Sequence, residues 1–219
     1  ISLPKQTRLG HLRQQLNAHE VGETLLDYTA DANPELNRLH DEIERLESSL
    51  PGASEQERPK LLKRIGEVQH DYEHLGGYEM SSRAEAALTG LGFSVEEQHQ
   101  PFASFSGGWQ MRAELARTLI SIPDILLLDE PSNYLEVPAV EWLQRYLREY
   151  KGTMLLISHD RYLLRTLTGL TLEVAGGEIT RYEGGYDYYA VQREARHHQL
   201  AAAKKNQDRK RAEIERFVE

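Results

Sequence analysis

The chain contains no cysteine among its 219 residues. Disulfide bonds and thiolate chemistry are therefore excluded, and an intracellular environment fits this composition. No apolar stretch approaches the roughly 20 residues that a membrane-spanning helix needs, and no signal-peptide pattern stands at the start. We therefore expect a cytoplasmic protein whose chain carries no membrane domain.

Hydrophobic residues make up 39% of the chain, which is enough for one sizeable core or for one domain with an appendage. Because the chain begins at Ile1 and not at methionine, we expect a piece of a longer protein.

The net charge of −9 is unevenly distributed, since residues 192–211 hold seven basic and only two acidic side chains. Such asymmetry can mark an interaction tail, although a solvated helix face is the simpler interpretation. The basic residues are Arg193, Arg196, Lys204, Lys205, Arg209, Lys210 and Arg211.

Apolar residues at helical spacing predict two consecutive helices, over residues 35–50 and 61–75, joined by a turn at Pro51-Gly52. We expect an antiparallel helical hairpin with solvated outer faces and no chemistry of its own. Shorter helices are predicted around residues 82–89 and 109–120. The segment that follows Gln14 has no clear period.

A βαβ unit is predicted in the second half of the chain. The apolar run 124–129 and the run 153–158 read as buried strands of a parallel sheet, and Pro138 suits the start of the helix between them. A β-hairpin is predicted over residues 170–182. From residue 186 to the end we expect one long polar helix that bridges two bodies.

Polar residues follow both strands of this unit. Asp129 and Glu130 come after the first strand, and Ser158, His159 and Asp160 end the second. If the two strands are neighbours, these groups meet at the sheet edge where α/β proteins bind ligands. A carboxylate there can hold Mg²⁺, and a second one can act on an attacking water. The alternative is that Asp129 caps a helix and His159 is a core histidine.

The sequence Ser106-Gly107-Gly108 precedes a predicted helix. Two glycines allow a ligand to approach the backbone, and the start of a helix attracts anions such as phosphate. An ordinary helix cap would have the same sequence.

The motifs FSGGWQMR, ILLLDEP and LLISHD, in this order, resemble the signature, Walker B and switch-histidine motifs of ABC-type ATPases. The GGW form of the signature resembles the ABC-F branch, whose members are twin-cassette ATPases without membrane spans, most of which act on ribosomes. The resemblance covers nearly all of the chain. It implies that residues 1–185 are part of a first nucleotide-binding domain, with a helical subdomain at about 18–120. It also implies that residues 186–219 are the start of a basic inter-domain linker.

The resemblance also implies roles for individual residues. Gln14 matches the glutamine that senses Mg²⁺ and the γ-phosphate, Asp129 would hold the Mg²⁺ shell, Glu130 would act on the attacking water, and His159 would contact the γ-phosphate. The signature residues would cap an ATP held mainly by a second cassette of the same polypeptide, and they are Ser106, Gly107, Gly108 and Gln110.

Two features depart from the family pattern. No G-x-x-x-x-G-K-[ST] phosphate loop occurs, so we expect the later part of a cassette that binds ATP poorly by itself. The segment 132–136 reads SNYLE where the family usually has TNHLD. The change puts the geometry of communication between cassettes in question.

The resemblance therefore predicts part of an ABC-F ATPase that uses ATP and Mg²⁺, acts on the ribosome, and reaches tRNA with the basic linker. Two alternatives stay open. One is an ABC ATPase of DNA repair or chromosome maintenance, and the other is a non-catalytic, nucleotide-regulated binding module.

Overall fold

The computed structural model describes residues 4, 7–12 and 23–218. The chain divides into two compact units, residues 1–157 and residues 158–219. In its described part, the first unit combines a parallel sheet with helices, and the second combines a β-hairpin with one short and one long helix.

The sheet of the first unit consists of β1 (Leu9–His11), β2 (Ile125–Asp129) and β3 (Thr153–Ile157), in that order and all parallel. Leu127 of β2 is in register with His11 and with Leu155. The prediction that the two apolar runs form parallel strands of one sheet is therefore confirmed, and the two strands are neighbours.

The entrance to β2 is fixed by contacts between Arg8 and Asp124. The Arg8 backbone N–H donates to Asp124 Oδ2 at 2.8 Å, and the Arg8 carbonyl accepts from the Asp124 N–H at 2.9 Å. The hydrogen bond from that backbone N–H, together with the Arg8 guanidinium, holds the pKa of Asp124 below its usual range. These contacts set the register of β1 against β2, because neither strand can slip without breaking them.

The helices of the first unit lie between the strands in sequence. They are α1 (Leu25–Ala30), α2 (Pro34–Ser49), α3 (Arg58–His74), α4 (Met80–Gly90), α5 (Val95–Gln98), α6 (Gly107–Ile120) and α7 (Val137–Glu149). Short 3₁₀ turns occupy Leu50–Gly52, Gly77–Glu79 and Phe102–Ser104.

Helices α2 and α3 form the predicted antiparallel hairpin. His40 near the start of α2 lies 5.9 Å from Tyr72 near the end of α3, measured between ring centroids. Ile43 and Ile65 are buried in the seam. An exposed ion pair between Glu42 and Arg64, at 2.7 Å, adds little to stability, because water screens it.

The core of the first unit lies where α1, α4 and α6 pack together and where α6 meets β1. Leu25, Leu88, Leu119 and Leu128 are almost completely buried there, and each contributes about 1.5–3 kcal/mol through removal of its side chain from water. Sequence patterns did not predict α1, because six residues are too few for a helical period to show. Its signal is the Thr24 cap, which accepts from the Asp27 N–H at 3.1 Å.

One face of the parallel sheet is covered by helices, whereas the other is open in the described part of the chain. Leu126 and Leu128 on the covered face are 0% and 2% exposed. Leu9, Leu155 and Ile157 on the opposite face are 53%, 48% and 56% exposed. Parallel sheets are ordinarily covered on both faces, so this apolar surface is unusual. The prediction of a buried strand over residues 153–158 is therefore wrong for β3, in which no residue is buried.

The second unit begins with α8 (Arg161–Leu167), continues with the antiparallel strands β4 (Thr171–Ala175) and β5 (Glu178–Tyr182), and ends with α9 (Tyr186–Val218). The predicted hairpin and long helix are both present. With 33 residues, α9 extends for about 50 Å.

Within the described residues, no helix combines the length and the apolar character that crossing a membrane requires.

Gly90 offers a test of the contact between α4 and α7. A Cβ at this position would overlap the indole ring of Trp142. We expect Gly90→Ala to lower the free energy of unfolding by about 1–3 kcal/mol through overpacking. The matched control is Gly66→Ala in α3, where a Cβ would meet nothing within 4 Å and where alanine favours the helix by up to about 1 kcal/mol. Urea unfolding measures both, and equal effects would contradict the proposed packing.

Candidate functional site

An open cleft of about 600 Å³ lies between the start of α6 and the turn that follows β2. It is lined by Gly107 and Gly108 on one side and by Asp129 and Glu130 on the other. The signature motif and the Walker B motif, about twenty residues apart in the chain, therefore line one cleft. Four of the predicted site residues are in its lining.

The turn after β2 determines how the two carboxylates stand at the rim of the sheet. Glu130 has a φ of 49°, in the left-handed region, and its N–H donates to the Ile157 carbonyl at 2.8 Å. The Glu130 carbonyl accepts from the Asn133 N–H at 3.0 Å. A left-handed residue other than glycine costs roughly 1–2 kcal/mol, so these contacts must hold it in place. The turn ends β2 abruptly and leaves Asp129 and Glu130 side by side on the cleft.

The opposite wall is the start of α6. Ser106 precedes this helix in an extended conformation, and within the described part of the chain its hydroxyl does not cap α6. A Cβ on Gly107 would meet nothing within 4 Å, so the backbone there is open to close approach. The start of this 14-residue helix offers N–H groups and a positive dipole, which suit a phosphate oxygen.

Gln110, the remaining residue of the signature motif, contacts the loop before α6. Gln110 Nε2 donates to the Phe102 carbonyl at 3.4 Å, and the Gln110 N–H donates to the Ser106 carbonyl at 2.9 Å. Gln110 therefore supports the loop before α6, whereas Gly107 and Gly108 line the cleft.

Helix α6 is held against α1 by a second set of contacts. The Tyr28 hydroxyl donates to Glu114 Oε2 at 2.5 Å, and the Arg117 guanidinium lies 4.6 Å from the Tyr28 ring centroid. Arg117 also donates to the Asp31 carbonyl at 2.9 Å. Burial raises the pKa of Tyr28 far above its usual range, and the neighbouring Glu114 adds to the rise. The tyrosine is therefore a neutral donor at every physiological pH.

Sequence reasoning missed Arg112, which links the two walls of the cleft. Its Nε donates to the Tyr134 carbonyl at 2.6 Å, and its guanidinium lies 4.1 Å from the centroid of the Trp109 ring. Tyr134 has a φ of 66° and would lie 3.6 Å from a Cβ on Gly108. The i, i+3 spacing of Trp109 and Arg112 was a signal for their stacking, but the sequence contains no sign of the bond to Tyr134.

Gln14 and His159 are the two remaining site residues predicted from the sequence. Gln14 lies outside the described residues. His159 belongs to the second unit and precedes Asp160, whose Oδ1 caps α8 by accepting from the Tyr162 and Leu163 N–H groups at 2.8 and 3.2 Å. The alternative role of a helix cap, considered above for Asp129, thus belongs to Asp160.

The acidic residues of the cleft fit one kind of metal site. Within the described residues, no group of three or more His, Cys, Asp or Glu side chains could hold a metal ion by itself. Mg²⁺ bound together with substrate phosphates needs only one or two protein carboxylates and keeps several waters. Asp129 and Glu130 fit this second arrangement.

The profile of the ABC transporter family matches residues 6–133, and a second profile, also described as ABC transporter, matches residues 172–219. The chain belongs to the ABC transporter family of ATP-binding proteins. The first match contains both walls of the cleft.

Similar proteins are known from several bacteria. The probable ATP-binding protein YheS of Haemophilus influenzae is 34% identical over 100% of this chain and 32% of its own length. The uncharacterized ABC transporter ATP-binding protein YfmM of Bacillus subtilis is 36% identical over 98% of this chain and 41% of its own length. The chain therefore spans between a third and about two fifths of these relatives.

Solved structures confirm the fold. A dimeric, post-hydrolysis ATP-binding cassette bound to ADP and Pi aligns with a TM-score of 0.50 at 21% identity, covering 81% of this chain and 63% of that one. An ATP-binding subunit of an ABC transporter aligns with a TM-score of 0.51 at 16% identity, covering 80% and 59%. The predicted α/β fold with a parallel sheet and a helical subdomain is that of an ABC cassette.

Arg112→Lys tests the link across the cleft. Lysine keeps the charge but lacks the Nε donor and the planar group that stacks on Trp109. We expect the free energy of unfolding to fall by about 0.5–1.5 kcal/mol through loss of the bond to Tyr134. Arg148→Lys, an exposed arginine of α7, is the matched control and should stay within about 0.5 kcal/mol of the parent. Identical urea midpoints for the two variants would exclude a structural role for Arg112.

Proposed function

We propose that this chain is part of an ABC-F factor that binds and hydrolyses ATP in the cytoplasm and acts on the ribosome in translation. The observation that carries the ATPase part is the cleft that joins Asp129 and Glu130 to Gly107 and Gly108. Membership of the ABC transporter family supports it.

Each wall of the cleft has a proposed task. Asp129 holds Mg²⁺, which supplies neutralisation of phosphate charge, while Glu130 orients the attacking water and takes its proton. Ser106, Gly107 and Gly108 receive phosphate oxygens of an ATP bound mainly by a second cassette, with Gln110 supporting their loop. Gln14 and His159 are the proposed contacts to the γ-phosphate side of the site.

The open face of the parallel sheet supports the need for further parts of the polypeptide. Leu155 and Ile157 are about half exposed there, and burial of such surface stabilises a fold by about 25 cal/mol per Å². We propose that the segment bearing the phosphate loop packs on this face. The chain by itself then binds ATP poorly.

The translation part of the proposal depends on α9. This helix continues without a break to Val218, and Lys204, Lys205 and Arg209 are exposed on it. A helix about 50 Å long that carries basic side chains suits a ribosome or tRNA backbone, where phosphate contacts position without reading sequence. ATP binding would close the two cassettes, and hydrolysis would release the factor.

Two other functions are alternatives to an ATPase that acts on the ribosome. An ABC ATPase of DNA repair or chromosome maintenance would use the same cleft with a DNA partner. A nucleotide-regulated binding module would close on ATP without hydrolysing it, and the unusual Tyr134 and Glu136 after the Walker B motif favour that alternative.

Glu130→Gln in the full-length protein separates catalysis from binding. We expect ATP turnover to fall by about 10²–10⁴-fold, since the amide cannot accept the proton of the attacking water, while ATP binding persists. Glu141→Gln, an exposed acid of α7, is the control and should leave turnover unchanged. Turnover that survives the Glu130 change would remove this residue from the catalytic role.

Co-sedimentation with ribosomes tests the target. We expect the full-length protein to pellet with ribosomes in the presence of a non-hydrolysable ATP analogue and to be released with ADP, because only the triphosphate keeps the cassettes closed. Binding to branched DNA without any binding to ribosomes would replace translation by DNA maintenance.

A further inference from the structure

Glu173 of β4 is the centre of a cluster that joins the β-hairpin to α9. Its Oε2 accepts from the Tyr182 hydroxyl at 3.0 Å, and its Oε1 accepts from the Tyr189 hydroxyl at 3.1 Å. Arg193 Nε lies 3.2 Å from the same Oε1. The Glu173 side chain is only 16% exposed, so this acid is largely withdrawn from water. A charge in such a position needs the partners that it has.

The electrostatic state of Glu173 agrees with this arrangement. Burial by itself raises the pKa of a carboxyl group, yet the hydrogen bonds from Tyr182 and Tyr189 and the charges of Arg193 and Arg196 outweigh it and lower the pKa of Glu173. The acid is therefore ionised at neutral pH and holds Arg193 as a charged partner.

The residues of α9 that meet the hairpin follow one stripe, together with Tyr186. Tyr186, Tyr189, Arg193 and Arg196 are spaced by 3, 4 and 3, which places them on one side of a helix. Arg196 Nη1 donates to Thr180 Oγ1 at 3.4 Å. The first three turns of α9 are thus attached to the hairpin along one side.

A further ion pair secures the start of α9. Arg165 of α8 lies 2.7 Å from Asp187, and its guanidinium is 5.8 Å from the Tyr186 ring centroid. Contacts with α8 and contacts with the β-hairpin therefore both fix the direction of α9 at its start.

The basic residues farther along α9 have different surroundings. Lys204, Lys205 and Arg209 are exposed. Lys205 and Arg209 are four residues apart and so share one face of the helix, on the side opposite to the stripe that contacts the hairpin. Their charges remain available to a polyanion.

We propose that Glu173 anchors α9 to the β-hairpin through Arg193, and that the polyanion-binding surface of α9 begins after Arg196, with Lys205 and Arg209. This refines the proposed function, on which its second half rests, by separating the basic residues of α9 into two groups. Arg193 and Arg196 direct the helix, whereas the later residues contact phosphates. The anchor lets a helix about 50 Å long present those charges in a fixed direction.

The first arm of the test measures the anchor in the full-length protein. Spin labels are attached at Glu178→Cys on the hairpin and Gln199→Cys on α9, after replacement of every cysteine that the full-length protein has outside these 219 cysteine-free residues. The distance between the labels is measured by double electron–electron resonance. We expect one narrow distribution in the parent and a broad one after Glu173→Gln or Arg193→Gln. The matched controls Glu183→Gln and Arg181→Gln remove an ion pair that lies within the hairpin, at 3.0 Å, and should leave the distribution narrow.

The second arm measures binding of single-stranded oligouridylate as a function of salt. Loss of one phosphate contact lowers the slope of log K against log salt by about 0.7. We expect this decrease for Lys205→Gln and Arg209→Gln, and an unchanged slope for Arg193→Gln and Arg196→Gln.

The outcomes separate the two halves of the proposal. An Arg193→Gln variant with a reduced salt slope and a narrow distance distribution would overturn the anchor. A parent protein that does not bind RNA would overturn the polyanion surface and the RNA part of the proposed function, while a broadened distribution in Glu173→Gln would still support the anchor.

Discussion

The parallel pairing of β2 with β3 is the constraint on which the site depends. It places Asp129 in register with Ile157, and the Glu130 N–H then donates to the Ile157 carbonyl at 2.8 Å. This bond holds Glu130 in a left-handed conformation that would otherwise be unfavourable. Without that sharp end to the strand, the two acids would alternate between opposite faces of the sheet and could not stand together on the cleft.

The wall formed by α6 depends on packing of a different kind. The start of the helix must stay open to a phosphate, so it cannot be held by contacts at its own first residues. Its position comes from Tyr28 and Arg117 on the α1 side and from Arg112 on the Tyr134 side. Arg112 joins the wall that would meet phosphate to the turn that carries the acids. Tyr134 stands where the family usually has histidine, but this change leaves the hydrogen bond from Arg112 intact, because the acceptor is the backbone carbonyl of residue 134.

The second unit fixes the direction of a long polar helix, α9, that has little apolar surface for packing. Hydrophobic burial is the usual means of fixing a helix, but the ring contacts between α9 and the hairpin come from Tyr189, near the start of the helix. Glu173 replaces part of that burial with charge-assisted hydrogen bonds, whose geometry is more specific than that of apolar contact. The composition of α9 indicates only that the helix is basic. It does not distinguish the arginines that contact the hairpin from the basic residues farther along the helix.

The sequence by itself determined the α/β class, the helical hairpin, the two parallel strands and the acids that follow them, because these depend on local periodicity and on short motifs. It could not determine α1, which is shorter than any readable period, nor the bond from Arg112 to the Tyr134 carbonyl, because a backbone acceptor has no signature in the side chains. Arg193 and Lys205 are equivalent in sequence as basic residues of one helix. Only the tertiary structure distinguished them, since the position of Glu173, twenty residues before Arg193 in the chain, follows from how the hairpin folds back on α9.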